Sequence, residues 1–277
     1  MSDEINRLSD IAYGESDQQV LDVYYPAIKQ QGAPTVFMVH GGAWRIGDKA
    51  SKAVIKNKVA HWVPEGFVFI SVNYRLLPEI QPVEQAEDIA KALRFAQQHV
   101  HKWGGSPDKF ILMGHSAGAH LVSLISVRPG AGIQPWLGTV ALDSAAYDVE
   151  TIMRAPSPPR LYKKAFGKNP AYWQQASPMH ALTGKLPPFL AVCSVIRKDD
   201  PCAQAKRFVV KARAYGSRAE LLPVALSHRK INVDLGTDHC YTQAVDTFLS
   251  TLDPSIASML TRASQLPDRA QLSCVGD

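Results

Sequence analysis

At 277 residues, with 46% hydrophobic and 20% charged residues, the chain has ordinary globular usage and enough apolar material for a core, which excludes a disordered or low-complexity protein. Its length fits one large α/β domain or two small ones. The net charge of +5 comes from dispersed basic residues, and the one loose cluster, Arg160, Lys163, Lys164 and Lys168, lacks the aromatic residues of a nucleic-acid stacking platform, so it reads as a solvated face.

The polar start, Met1 to Arg7, carries neither a basic n-region nor an apolar h-region, and no run of about 18 apolar residues is present to span a membrane. These features predict a cytoplasmic protein with no membrane and no nucleic-acid partner. The four cysteines, Cys193, Cys202, Cys240 and Cys274, show no C-x-x-C spacing and are expected to be free thiols. A Cys202–Cys240 disulfide is the alternative, because each lies near a candidate catalytic loop.

Along the chain, residues 1–16 read as a polar lead-in. Gln19 to Pro26 alternates as a strand does, and Thr35 to Val39 is a continuous apolar run suited to a strand buried on both faces. Ala53 to Trp62 has helical spacing, and Phe67 to Val72 is another buried strand. From Pro82 to Val100, apolar residues recur every three or four positions behind a first-turn proline, which predicts a crossover helix. Lys109 to Leu112 is a strand, and Leu121 to Ile125 continues in helical register. Leu137 to Leu142 and Phe189 to Cys193 are strands, Ala203 to Ala214 a helix, Ala219 to Leu226 the last strand and Tyr241 to Leu252 the last long helix. The tail from Asp253 has no assignment.

Between Ser144 and Lys185 the pattern breaks into short Pro-containing pieces that carry Tyr147, Leu161, Tyr162, Phe166, Tyr172 and Trp173. That content is too apolar for disorder and predicts a small cap, residues 144–185, inserted in a single domain spanning 1–277. Strands and helices alternate at spacings too long for hairpins. The fold class is therefore α/β, with a mostly parallel sheet of about eight strands and helices on both faces, and ligands bound at the carboxyl ends of the strands.

Gly114-His115-Ser116-Ala117-Gly118 lies between a predicted strand and a predicted helix. A strand that turns into a helix within two residues strains its turn residue, and small neighbours at Gly114 and Gly118 let strand and helix approach. Ser116 is then lifted to the apex, at the positive end of the new helix, as a candidate nucleophile. A serine hydroxyl needs a base and a group to orient that base. Of the nine histidines, His228 directly follows the final strand and is the favoured base. His239 is the rival, but it opens a helix whose N-terminus disfavours an imidazolium. The acid is expected from Arg197 to Cys202. Asp200 is favoured although it could equally be a helix N-cap, with Asp199 and then Asp143 as alternatives. Gly41, Gly42, Ala43 and Ala117 can turn backbone N–H groups to an oxyanion. His40 would brace their loop, and Trp44, His115 and Tyr74 are candidate substrate-binding residues.

His40-Gly41-Gly42-Ala43-Trp44, Gly114-His115-Ser116-Ala117-Gly118-Ala119-His120 and the Ser, Asp, His order together resemble the α/β-hydrolase fold. Within it they resemble the hormone-sensitive-lipase-like carboxylesterases, closest to the kynurenine formamidase (arylformamidase) branch, over about Gln19 to Leu252. The resemblance implies a triad of Ser116, Asp200 and His228, with Gly41, Gly42 and Ala117 in the oxyanion hole. Ala43 departs from the wider family's third glycine but keeps its N–H. The expected function is a serine carboxylesterase for short acyl or aryl esters. The alternatives are an arylformamidase-type amide hydrolase and, in a different class, a non-catalytic small-molecule receptor. The expected partner is a small-molecule ester or amide substrate, and a homodimer is left open. No ligand-spaced His/Cys/carboxylate cluster and no Gly-rich phosphate fingerprint appears, so no metal or organic cofactor is expected.

Overall fold

Ala33–Val39 is buried at every position, and its side chains alternate between two cores. Val36 and Met38 face one and Phe37 and Val39 the other, as period-2 geometry requires of a strand covered on both sides. The computed structural model describes residues 4–264, and among them this strand sits in an eight-stranded sheet. The strands are β1 (Ile5–Ala12), β2 (Val20–Pro26), β3 (Ala33–Val39), β4 (Val68–Val72), β5 (Gly105–His115), β6 (Gly138–Leu142), β7 (Phe189–Ser194) and β8 (Ala219–Val224). Their order is β1-β2-β4-β3-β5-β6-β7-β8, with β1–β2 and β2–β4 antiparallel and every later pairing parallel. This is the α/β-hydrolase architecture.

The helices are α1 (Lys52–Trp62), α2 (Pro82–His99), α3 (Ala117–Val127), α4 (Val149–Arg154), α5 (Arg160–Phe166), α6 (Pro170–Gln175), α7 (Pro178–Ala181), α8 (Pro201–Ala214), α9 (His228–Val233), α10 (Cys240–Ser250) and α11 (Pro254–Ser264). Helices α2, α3 and α8 cover one face of the sheet, and α1, α10 and α11 cover the other. No helix among the described residues is long and apolar enough to cross a membrane.

Three features differ from the expectations. The polar lead-in contains β1, an edge strand exposed at most of its central positions, so no buried face marks it in the sequence. It is pinned by the fully buried carboxylate of Asp22 on β2, which accepts from Arg7 Nη2 at 2.7 Å and the Asp10 N–H at 3.0 Å and pairs with Lys49 Nζ at 2.7 Å. The unassigned tail begins with α11, whose Ile256 and Leu260 join the core beneath α10. The expected free thiols are replaced by a Cys193–Cys202 disulfide, which also excludes the Cys202–Cys240 pairing. Cys193 lies one residue before the end of β7 and Cys202 is the second residue of α8, so the short strand-to-helix connection brings their Cα atoms to 5.2 Å.

Helices α4 to α7 all fall between β6 and β7. Tyr162 and Phe166 of α5 pack against Trp44 with ring centroids 5.8 and 4.9 Å apart, and the Tyr172 hydroxyl of α6 accepts from the Val83 N–H of α2 at 3.1 Å. The segment is thereby fixed over the carboxyl ends of the central strands.

Candidate active site

Ser116 stands where β5 turns into α3, with φ 57° and ψ −117°. A non-glycine residue there costs about 1–3 kcal/mol and persists only where its surroundings over-determine it. The surroundings are tight. A Cβ on Gly114 would lie 2.4 Å from the Gly118 carbonyl oxygen, and one on Gly118 would lie 2.2 Å from that of Val39. The Ser116 N–H donates to the Leu142 carbonyl at 2.9 Å, which ties the turn to β6.

The serine Oγ lies 2.9 Å from His228 Nε2, and His228 Nδ1 lies 2.6 Å from Asp143 Oδ2. Asp143 follows β6 directly, with φ 57° and a fully buried side chain. Its second oxygen accepts the Ser194 N–H at 2.9 Å. Burial would raise this carboxyl, but bonds from His228, Arg197 and Ser194 outweigh it and hold the group below the ordinary carboxylate range. Nδ1 facing a carboxylate carries the ring proton, so Nε2 is the acceptor for the serine hydroxyl.

The expected pairing of Asp200 with His228 is not formed. Asp200 is the N-cap of α8, exposed, with its side chain accepting the Ala203 N–H at 3.1 Å. Asp199 is paired with Arg197 at 2.9 Å. The residue ranked last in the sequence, Asp143, is the one the structure brings to the imidazole. Its β6 end is adjacent to the serine-bearing β5, whereas β7, which feeds the Asp199–Asp200 loop, is one strand further away. The rival imidazole, His239, caps α10 by accepting the Tyr241 N–H on Nδ1 at 3.0 Å.

The three residues expected to bind substrate are buried instead. Tyr74 is stacked on His40 at 4.6 Å and donates its hydroxyl to the His40 carbonyl at 3.0 Å. His115 donates Nε2–H to the His228 carbonyl at 2.9 Å, and burial followed by the neighbouring His228 pushes it down to about 3, so it is neutral. Trp44 donates Nε1–H to His120 Nδ1 at 3.2 Å, and His120 passes its Nε2–H to the Ala176 carbonyl at 2.7 Å. Burial holds His120 down at about 4. These aromatic groups therefore brace the loop, the helix and the insertion against one another.

The loop after β3 rests on the serine turn: a Cβ on Gly41 would come within 2.9 Å of Ser116 Cβ. Ala43 and Trp44 both take positive φ, at 52° and 61°. His40 braces the loop by donating Nδ1–H to the Gly41 carbonyl at 2.7 Å. Ala117, as the first residue of α3, has an N–H with no intrahelical partner. Arg197, to which the sequence reading gave no role, places Nη1 2.7 Å from Asp143 Oδ2 and 2.9 Å from His228 Nδ1. Among the described residues no group of three or more His, Cys, Asp or Glu side chains is arranged to hold a metal ion.

A mostly parallel sheet, with a serine at a strained strand-to-helix turn and an imidazole and carboxylate at later strand ends, defines the class: an α/β-hydrolase carrying a Ser–His–Asp constellation. Comparison with known families then places it. Residues 21–210 match the BD-FAE family, and the chain belongs to that family. Among curated proteins it is 30% identical over 226 residues to the probable carboxylic ester hydrolase LipM of Mycobacterium tuberculosis, covering 74% of this chain and 51% of that one. It is 25% identical over 294 residues to the isoprenylcysteine alpha-carbonyl methylesterase ICME of Arabidopsis thaliana, covering 95% and 66%. The chain spans about half the length of the curated relatives it matches first, 51% for LipM and 59% for the ICMEL1 protein of A. thaliana. Of solved structures, the sarin-phosphonylated esterase 2 of Thermogutta terrifontis superposes with a TM-score of 0.73 at 19% identity, covering 87% of this chain and 94% of that one. An inhibited esterase B from Lactobacillus rhamnosis gives 0.71 at 22% identity, covering 94% and 89%. At these identities the structural likeness shows the fold.

Proposed function

We propose that the protein is a serine carboxylesterase that cleaves short acyl or aryl esters through an acyl-enzyme intermediate. The observation that carries this reading is the unbroken line Ser116 Oγ, His228 Nε2, His228 Nδ1, Asp143 Oδ2, with steps of 2.9 and 2.6 Å across the ring. As Ser116 attacks the ester carbonyl, its proton moves to Nε2, and Asp143 stabilises the imidazolium that forms. The N–H groups of Ala117, Gly41, Gly42 and Ala43 receive the developing oxyanion, each such donor being worth on the order of 10² to 10³ in turnover. His228 returns the proton to the departing alcohol, and water activated by the same ring releases the acid. In this reading helices α4 to α7, which pack on Trp44 through Tyr162 and Phe166, serve as the cap of the site.

The test is hydrolysis of p-nitrophenyl acetate by wild type and Ser116→Ala. Loss of on the order of 10⁴ or more in kcat supports the reading, and unchanged hydrolysis ends it. Labelling by a fluorophosphonate probe at Ser116 separates an enzyme from a receptor that has kept only the fold.

A finer reading rests on the two motifs that resemble the arylformamidase branch, which the bond between Trp44 and His120 joins. That bond links the last residue of His40-Gly41-Gly42-Ala43-Trp44 to the last residue of the serine motif, so the two features that resemble the arylformamidase branch form one structural unit. By that resemblance alone we propose N-formyl arylamines as alternative substrates; Trp44 and His120 are buried and act as internal braces. A formamide preference over aryl acetates of less than about tenfold, roughly 1.4 kcal/mol, would leave the finer reading without support.

A further inference from the structure

We infer that Arg197 is a positioning residue of the triad: its guanidinium holds the Asp143 carboxylate against His228 and, as a fixed positive charge beside Nδ1, sets the pH below which hydrolysis fails. The inference rests on the esterase reading above and concerns a residue that a Ser–His–Asp mechanism does not require.

The geometry is specific. Arg197 Nη1 donates to Asp143 Oδ2 at 2.7 Å, the same oxygen that accepts from His228 Nδ1 at 2.6 Å. The two donors converge, and Nη1 comes within 2.9 Å of Nδ1. A guanidinium has no acceptor and does not lose its proton, and Nδ1 in the working tautomer is itself a donor, so this approach is a contact between two like-charged groups once the ring is protonated. The carboxylate between them makes the arrangement tolerable. Each time the serine proton reaches Nε2, the new imidazolium faces Arg197.

Arg197 is not a loosely held surface side chain. Its side chain is 20% exposed, and its outer edge is held by Asp199, with Nε 2.9 Å from Oδ1. The loop that carries it runs from Ser194 at the end of β7 to Pro201 at the start of α8, and the Cys193–Cys202 disulfide closes its base. The other charged and titratable groups around the imidazole are few. Asp143 faces it from β6, and neutral His115 lies beneath it from β5 with ring centroids 4.6 Å apart. Lys58 of α1 lies behind His115, and Tyr241 of α10, kept protonated by burial, donates to the Ile231 carbonyl of α9. Arg229 and Lys230 follow on α9 itself, and Tyr162 of α5 senses Asp199, Arg197 and Asp143. Among the described residues, Arg197 is the cation in direct contact with Nδ1.

The test is the profile of kcat/KM for p-nitrophenyl acetate between about pH 5 and 9 for wild type, Arg197→Gln, Arg197→Met and Arg197→Lys, together with NMR titration of the His228 ring in the same proteins. The acid limb and the ring titration are expected to move up by roughly one pH unit in the Gln and Met variants, and to stay near wild type in Arg197→Lys. Asp199→Asn, a change at an exposed position that leaves Arg197 in place, is expected to move both the opposite way, and it carries the test if the neutral variants fail to fold. A limb and a ring titration that stay at the wild-type position in all of these variants overturn the inference. If the wild type neither hydrolyses ester nor is labelled at Ser116, the esterase reading fails instead, while the ring titration still reports on Arg197.

Discussion

His115 Nε2 donates to the backbone carbonyl of His228 at 2.9 Å, and the two rings lie 4.6 Å apart with a 37° tilt. The residue just before Ser116 on β5 therefore holds the main chain of the residue whose ring faces the Ser116 hydroxyl. Two long-range partners, 113 positions apart in sequence, are fixed relative to each other by one buried donor.

Removing that donor should loosen the base without altering the chemistry. His115→Phe keeps the ring volume and loses the bond, and kcat/KM for p-nitrophenyl acetate is expected to fall about tenfold, the equivalent of one hydrogen bond, with the fold retained. Because His115 is neutral down to about pH 3, the acid limb of the profile should not move. An undiminished kcat/KM would show that the bond positions nothing.

Lys58 is buried on α1 and donates Nζ to the Asn232 carbonyl at the end of α9; burial pushes it down to about 7. In the unfolded chain it titrates near 10.5. Between about pH 7 and 10.5 the unfolded state holds this proton and the native state does not, so stability contributed by this site rises with pH. Urea unfolding of wild type and Lys58→Met at pH 7 and 9 is expected to show the wild type gaining on the variant by up to about 1.4 kcal/mol per pH unit. A difference that stays constant with pH would place the lysine's titration outside that window.

The Cys193–Cys202 bond closes a short loop, with a sequence separation of 9. Loop-closure entropy predicts that the Cys193→Ala/Cys202→Ser double variant loses about 2–3 kcal/mol of stability, read from its urea midpoint. A change below about 0.5 kcal/mol would mean that the reduced loop is already ordered by Arg197 and its two carboxylates.

Much of the fold is legible in the residues, because buried parallel strands such as Thr35 to Val39 and an amphipathic helix such as Pro82–His99 carry their own periods. Strand β1 is not, because an edge strand with an exposed centre has no apolar alternation to read. The serine turn and His228 are legible from local glycine spacing and from a strand end. The acid is harder. Asp143 and Asp200 both follow strands, and the sequence does not say which strand end lies nearest the imidazole; that is set by sheet order and by the positive φ of Asp143. The burial of Trp44, His115 and Tyr74 also follows from tertiary contacts, since aromatic side chains next to catalytic motifs serve equally as pocket walls or as braces.

The most direct measurement is the comparison of Asp143→Asn with Asp200→Asn in p-nitrophenyl acetate hydrolysis. The account expects kcat to fall on the order of 10⁴-fold for Asp143→Asn, which leaves the ring in the wrong tautomer. It expects Asp200→Asn, still an N-cap residue, to stay within about threefold of wild type. The reverse pattern, with Asp143→Asn active and Asp200→Asn inactive, would contradict it.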